Sequence, residues 1–134
     1  MSLISEEVRA AQRLYDAMAA HDGRALFQAM HEDFRGTVSA GMPLAVGGRH
    51  EGPERMLLEV WAKVFATYDV APEVTRYVET GGQELVAIGR YVGTARGTGR
   101  PLDAAFAHVL AIRDGRVASL DQITDTQRWH EAAA

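Results

Sequence analysis

One imidazole in this sequence stands where it could move a proton. His108 lies inside the alternating run Ala104-Ala105-Phe106-Ala107-His108-Val109-Leu110. A neutral ring with the usual pKa near ~6.5 takes and returns a proton close to neutral pH. Its candidate partner is Gln122. The carboxamide could donate a hydrogen bond to a developing oxyanion, or simply satisfy the ring, because buried polar groups need partners whatever their role. Together the two residues would allow proton transfer next to a carbonyl. A histidine among apolar neighbours also reads as a satisfied core residue.

Other chemistries find little support. There is no cysteine, so disulfides, thiolate catalysis and cysteine metal sites are excluded. The histidines, at 21, 31, 50, 108 and 130, show no ligand spacing, and neither a metal nor a cofactor is expected. Serines 2, 5, 39 and 119 lack a nucleophile-elbow context. Gly93 to Gly99 runs between strands rather than into a helix, so it is a hairpin loop and not a phosphate cradle. A net charge of -4 and a pI near 5.7 argue against nucleic acid as a partner. No apolar run approaches the ~20 residues of a membrane span. The N-terminal MSLISEEVRA lacks the basic-then-apolar order of a leader, so a cytoplasmic protein is expected.

The element that must position His108 is a hairpin from Pro101 to Asp125, turning at Asp114-Gly115. Its register decides which side chains meet. A two-residue type I′ turn puts His108 opposite Asp121. A type I turn with Gly115 left-handed in a bulge instead puts His108 on one face with Leu120 and Gln122. Apolar sorting favours the bulge. It gathers Ala104, Phe106, His108, Leu110 and Ile112 with Ala118, Leu120, Gln122 and Thr124. The other face, with Ala105, Ala107, Val109, Val117, Ser119, Asp121 and Ile123, is small and mixed, as suits solvent or a subunit contact.

The remaining elements follow from periodicity. Val8, Ala11, Leu14, Tyr15 and Met18 recur at helical steps in a helix from about Ile4 to Ala20, with Ser5 as N-cap. Asp22 caps a second helix, Arg24 to Met30, turning Leu26, Phe27 and Met30 inward. Phe34 to Ser39 is a first strand. The glycine-rich stretch Ala40 to Gly52 is the longest irregular segment, and such loops often act as lids. Pro53 opens a third helix, whose stripe of Met56, Leu57, Val60, Trp61, Val64, Phe65 and Tyr68 makes it the main core helix. Strands Val70 to Glu79 and Leu85 to Ala95 precede the hairpin, and Asp125 or Thr126 caps a last helical turn through Trp129. The 134 residues fit one domain, with helices segregated on one face of a mainly antiparallel sheet.

Several stretches now point to a family. Asp33-Phe34 after two short helices, Gly-Arg-Tyr-Val-Gly at 89–93, Phe-Ala-His at 106–108 and Asp-Gly-Arg-Val at 114–117 resemble the SnoaL-like branch of the nuclear transport factor 2 and ketosteroid isomerase superfamily. The resemblance covers nearly the whole chain. It implies an α+β fold: a cone-shaped barrel of a curved mixed, mainly antiparallel sheet with three N-terminal helices on its concave face, residues 1–134 forming one such domain. It also implies a deep apolar pocket and a homodimer made through the sheet.

Site residues carry over position by position. In the polyketide cyclases of this branch a histidine and an aspartate act as acid and base in an aldol ring closure. His108 matches the histidine, and the aspartate position falls on Gln122. Limonene epoxide hydrolases place an arginine between two carboxylates. Arg90 matches that arginine and would point inward, while Val92 and Gln122 occupy the carboxylate positions. The tyrosine and two aspartates of the steroid isomerases fall on Leu14, Val38 and Ala107, with Tyr15 one position away and packed against the core.

The expectation is thus a small apolar or cyclic ligand in a pocket closed by the 40–52 loop. His108 would serve as acid/base and Gln122 would orient the substrate, with Arg90, Phe106, Trp61, Tyr68, Tyr15 and Leu120 as substrate-binding residues. The alternative is a non-catalytic ligand-binding or protein-interaction domain of the same fold.

Overall fold

A computed structural model describes residues 4–134; the first three residues of the stretch read for a leader lie outside it. Helix α1 (Glu6–Ala19) starts where Ser5 Oγ accepts the Val8 amide at 3.1 Å, and α2 (Gly23–Ala29) where Asp22 Oδ1 accepts that of Ala25 at 3.1 Å. α1 buries Val8, Ala11, Leu14, Tyr15 and Met18, the stripe read from its spacing. α2 buries Leu26 but leaves Phe27 exposed. Met30 is buried as the first residue of the strand β1 (Met30–Val38), which begins earlier than its apolar run suggested.

Part of the expected lid is regular structure. Gly48–Glu51 forms an edge strand, β2, antiparallel to β1, and Met42 and Val46 of the preceding loop are buried. The core helix runs as α3 (Pro53–Met56), one π turn (Leu57–Trp61) and α4 (Ala62–Thr67). At the π turn the Ala62 amide reaches back five residues to the Leu57 carbonyl. Tyr68, the last residue of the helical stripe, opens β3 instead.

Strands β3 (Tyr68–Glu79), β4 (Glu84–Ala95), β5 (Pro101–Arg113) and β6 (Arg116–Thr124) form a meander, and α5 (Thr126–Ala133) closes the chain. The sheet order is β2-β1-β6-β5-β4-β3. Only β1 with β6 is parallel; every other pair is antiparallel. The mixed, mainly antiparallel α+β architecture is therefore as expected. The barrel is not closed, because β2 and β3 end the sheet as free edges.

The hairpin corrects the expected turn. Asp114 (φ 53°) and Gly115 (φ 71°) are both left-handed, which makes a tight two-residue turn with Arg113 opposite Arg116 and Ile112 opposite Val117. The extra residue is absorbed further along β6, at Ala118, so that Ala111 pairs with Ser119 and His108 with Gln122. The shared face of His108, Leu120 and Gln122 thus exists, and Asp121 is exposed on the other. Val117, expected outside, is fully buried, because it precedes the bulge and keeps the face of Ile112.

Candidate functional site

Alternation along β5 points Leu102, Ala104, Phe106, His108, Leu110 and Ile112 toward the helices, and all are buried. On β4 the same rule turns Leu85, Ala87 and Tyr91 inward. Arg90 therefore faces out, where it pairs with Asp103 and is exposed. The expected inward arginine is corrected: the residue beside it, Tyr91, takes the place in the interior.

His108 is fully buried and held at both ring nitrogens. Nδ1 lies 2.7 Å from the Tyr15 hydroxyl and Nε2 3.0 Å from that of Tyr91. Gln122 donates through Nε2 to the Tyr91 hydroxyl at 2.8 Å. Phe106 and Tyr15 stack on the ring, at centroid separations of 4.2 and 5.7 Å. Burial pushes the His108 pKa down to about 3, and pushes the Tyr15 and Tyr91 phenols well above their usual value. All three groups are neutral near pH 7.

A neutral imidazole has one N–H and one lone pair. If Nδ1 carries the proton, the ring donates to Tyr15 and Tyr91 donates to Nε2. If Nε2 carries it, Tyr15 donates to Nδ1, and the Tyr91 oxygen accepts from both the ring and Gln122. The Tyr91 O–H is then left to point elsewhere, and Tyr91 borders a cavity. The network can present a phenolic donor there, whereas His108 itself is shielded from any ligand by its two partners.

That cavity is apolar and tight, with room for about 20 Å³, close to a single water. Met18, Met42, Met56, Val60, Trp61, Val64, Phe65, Leu120 and Trp129 wall it, and Tyr91 and Gln122 give its polar end. Thioether side chains rotate easily, so three methionines make this wall adaptable. No wall residue carries a charge. A wider hollow of about 630 Å³ is a polar surface groove beside Asp33, Arg35, Glu51, Gln83 and Arg113, and it includes none of the buried network.

Of the residues singled out from sequence, Tyr15 bonds His108 directly and Gln122 reaches it through Tyr91. Phe106 stacks on His108, and Trp61 and Leu120 line the cavity. Tyr68 is not on that wall. It is fully buried behind Trp129, meeting that ring edge-on at 4.9 Å and donating to its carbonyl at 2.8 Å. Sequence reading missed Tyr91, Trp129 and the methionines, although the period of two from Leu85 through Ala87 marks Tyr91 as inward-facing. Among the described residues no group of three or more His, Asp or Glu side chains could hold a metal ion. No helix there is long and apolar enough to cross a membrane.

Residues 11–120 match the SnoaL-like domain. The chain belongs to the SnoaL-like family. A search of curated proteins finds no matching relative. Among solved structures the chain is similar to a nuclear transport factor 2-like protein of Burkholderia thailandensis (22% identity, TM-score 0.83, covering 98% of this chain and 99% of that one). It is also similar to a candidate SnoaL-like polyketide cyclase of a Jannaschia species (21%, 0.80, 99% and 97%). A third similar structure is a protein of ketosteroid isomerase-like fold from Catenulispora acidiphila in complex with trimethylamine (17%, 0.79, 92% and 91%). At these identities the likeness speaks for the fold, and this SnoaL-like chain carries its own site chemistry.

Proposed function

We propose that this SnoaL-like protein binds a small, largely apolar ligand bearing a carbonyl group in the cavity beneath Trp61 and Trp129. The observation that carries this reading is the Tyr91 hydroxyl. It stands at the polar end of an otherwise apolar wall, braced by Gln122 at 2.8 Å and by His108 at 3.0 Å. A phenol so placed donates to a carbonyl oxygen and stabilises negative charge that develops there. A cyclic or aromatic skeleton would pack on the tryptophans after displacing methionine side chains, since the closed cavity admits little more than water.

A second reading, proton transfer next to the ligand carbonyl, is favoured by the direct Tyr91–His108 contact. Tyr91 would hold the developing enol oxygen by a hydrogen bond, and neutral His108, donating from Nε2 to the Tyr91 oxygen at 3.0 Å, would keep that phenol turned toward the ligand without giving up its only proton. The cavity wall offers no carboxylate to remove a carbon-bound proton, so binding is the leading function. The test is a thermal-shift screen of cyclic ketones and aromatic carbonyl compounds against wild type and Tyr91→Phe. Hits should weaken about tenfold on Tyr91→Phe, the worth of one hydrogen bond. Binding indifferent to the hydroxyl, or no hit among carbonyl compounds while apolar hydrocarbons bind, overturns the reading. Turnover by wild type that vanishes in His108→Gln with binding retained would establish the enzyme.

A further inference from the structure

Three local irregularities meet on one side of the cavity. In the loop before β2, Leu44 (φ 68°) and Ala45 (φ 58°) are consecutive non-glycine residues in the left-handed region, which side chains hold only where the surroundings enforce it. Facing that loop, the core helix carries its π turn, Leu57–Trp61, with Glu59 on the exposed side. Between them lies His50 of β2, only 7% exposed. Its Nε2 is 2.7 Å from the Val46 carbonyl, and its Nδ1 is 2.9 Å from Glu59 Oε1.

Hydrogen-bond counting says what both contacts require of this ring. A carbonyl oxygen only accepts, and so does an ionised carboxylate. Both contacts are hydrogen bonds together only when His50 carries a proton on each nitrogen. The Glu59 carboxyl is itself held below the ordinary carboxylate range, first by its bond to His50 and then by the charges of His50, Arg55 and Lys63. The loop 40–47 has no ionisable residue. Arg49 and Glu51, flanking His50 on β2, pair with each other at 3.4 Å. Across the ladder His50 faces Gly36, which offers no side chain and sits between Arg35 and Thr37. Glu59 is therefore the one carboxylate touching the ring among the described residues.

We infer that protonated His50 is a clasp that ties the Met42 loop to the π turn and so governs opening of the cavity, shut at lower pH and released as the ring loses a proton. Met42 of the loop and Val60 and Trp61 of the π turn all line the cavity, so the clasp joins two parts of its wall. A singly protonated ring keeps its bond to the buried Val46 carbonyl, because the half-exposed Glu59 carboxylate can be hydrated instead. A lone pair then faces that carboxylate, and loop and helix are no longer joined. The strain at Leu44-Ala45 favours the released arrangement. As regulation, this rests on the cavity being the ligand site; the clasp itself can be tested with no ligand present.

The experiment follows protection of the Met42 amide, which donates to the Ser39 carbonyl at 3.1 Å, from pH 5.5 to 8.5. Rates are corrected for intrinsic exchange, and acrylamide quenching of tryptophan is read in parallel. Nitrogen NMR of the His50 ring in the same samples gives its protonation. Protection should fall about tenfold as His50 titrates, equivalent to ~1.4 kcal/mol, with quenching rising over the same range. Glu59→Gln, an exposed change, should move the transition to lower pH, and His50→Gln should abolish it. A ring with one proton at pH 5.5, one that keeps both to pH 8.5, or protection that stays flat through its titration overturns the clasp. Loss of the clasp leaves the carbonyl-screen result standing, and an empty screen with a working clasp overturns only the ligand reading.

Discussion

Acid should loosen this protein through a single ring. His108 is fully buried, both its nitrogens are held by neutral phenols, and burial lowers its pKa to about 3. In the unfolded chain the same group titrates near ~6.5. Below that value the unfolded state binds the proton and the folded state refuses it. Stability is therefore full above ~pH 6.5 and is lost as pH falls toward 3, the sign expected of a histidine buried neutral. The complete span corresponds to ~5 kcal/mol, and about 2 kcal/mol should disappear between pH 7.5 and 5.0, before most carboxylates titrate. Urea unfolding is the suitable assay, because guanidinium would screen charge. The control is His108→Gln, whose amide can still bond the tyrosines but does not titrate. Subtracting its pH profile isolates the contribution of His108. An unchanged profile in His108→Gln, or an imidazole seen by NMR to protonate near pH 6 in the native state, would refute the reasoning.

Other substitutions test separate parts of the structure. Tyr91→Phe leaves the Gln122 amide and His108 Nε2 without their partner, and should cost ~1–3 kcal/mol in urea unfolding as well as weakening carbonyl ligands; unchanged stability would show those bonds to be replaced by water. Gly89→Ala should destabilise by ~1–3 kcal/mol, because a Cβ there would lie 2.2 Å from the Glu73 carbonyl oxygen and 2.9 Å from the Phe106 ring; a Tm within error of wild type speaks against that close approach. Self-association is proposed through the small outer face of β4 to β6, where Ala105 and Val92 are exposed and Ile123 is 62% exposed. Ile123→Asp should then shift light scattering toward monomer, and a wild-type monomer at micromolar concentration removes the proposal.

The fold was legible because its signals are local. Ser5 and Asp22 sit at helix starts, Asp114-Gly115 separates two strand patterns, and Pro53 opens the core helix. The hairpin shows where local reading stops. Asp-Gly supplies two residues that tolerate positive φ, and the chain uses both, so the turn itself takes no extra residue. The bulge at Ala118 has no local mark: β6 carries one residue more than β5 between Val117 and Ser119, and the pairing with β1 shifts over the same two positions, from Met30–Val117 to Arg35–Ser119. β1 comes from far along the chain, and only the assembled sheet shows the two irregularities together.

The site divides along the same line. His108 meeting Gln122 needed only the right parity on one hairpin. The error at Arg90 came from letting an analogous catalytic pattern outweigh alternation along β4, where Leu85 and Ala87 already set the inward phase and made Tyr91 the residue to choose. Tyr15 lies on the inward stripe of α1, but its partnership with His108 depends on how that helix crosses the sheet, which no periodicity encodes. What the interior rewarded at position 108 was a group able to accept one phenol and donate to another while uncharged. Neutral imidazole does this, and a carboxylate there would face the same burial with no cation beside it.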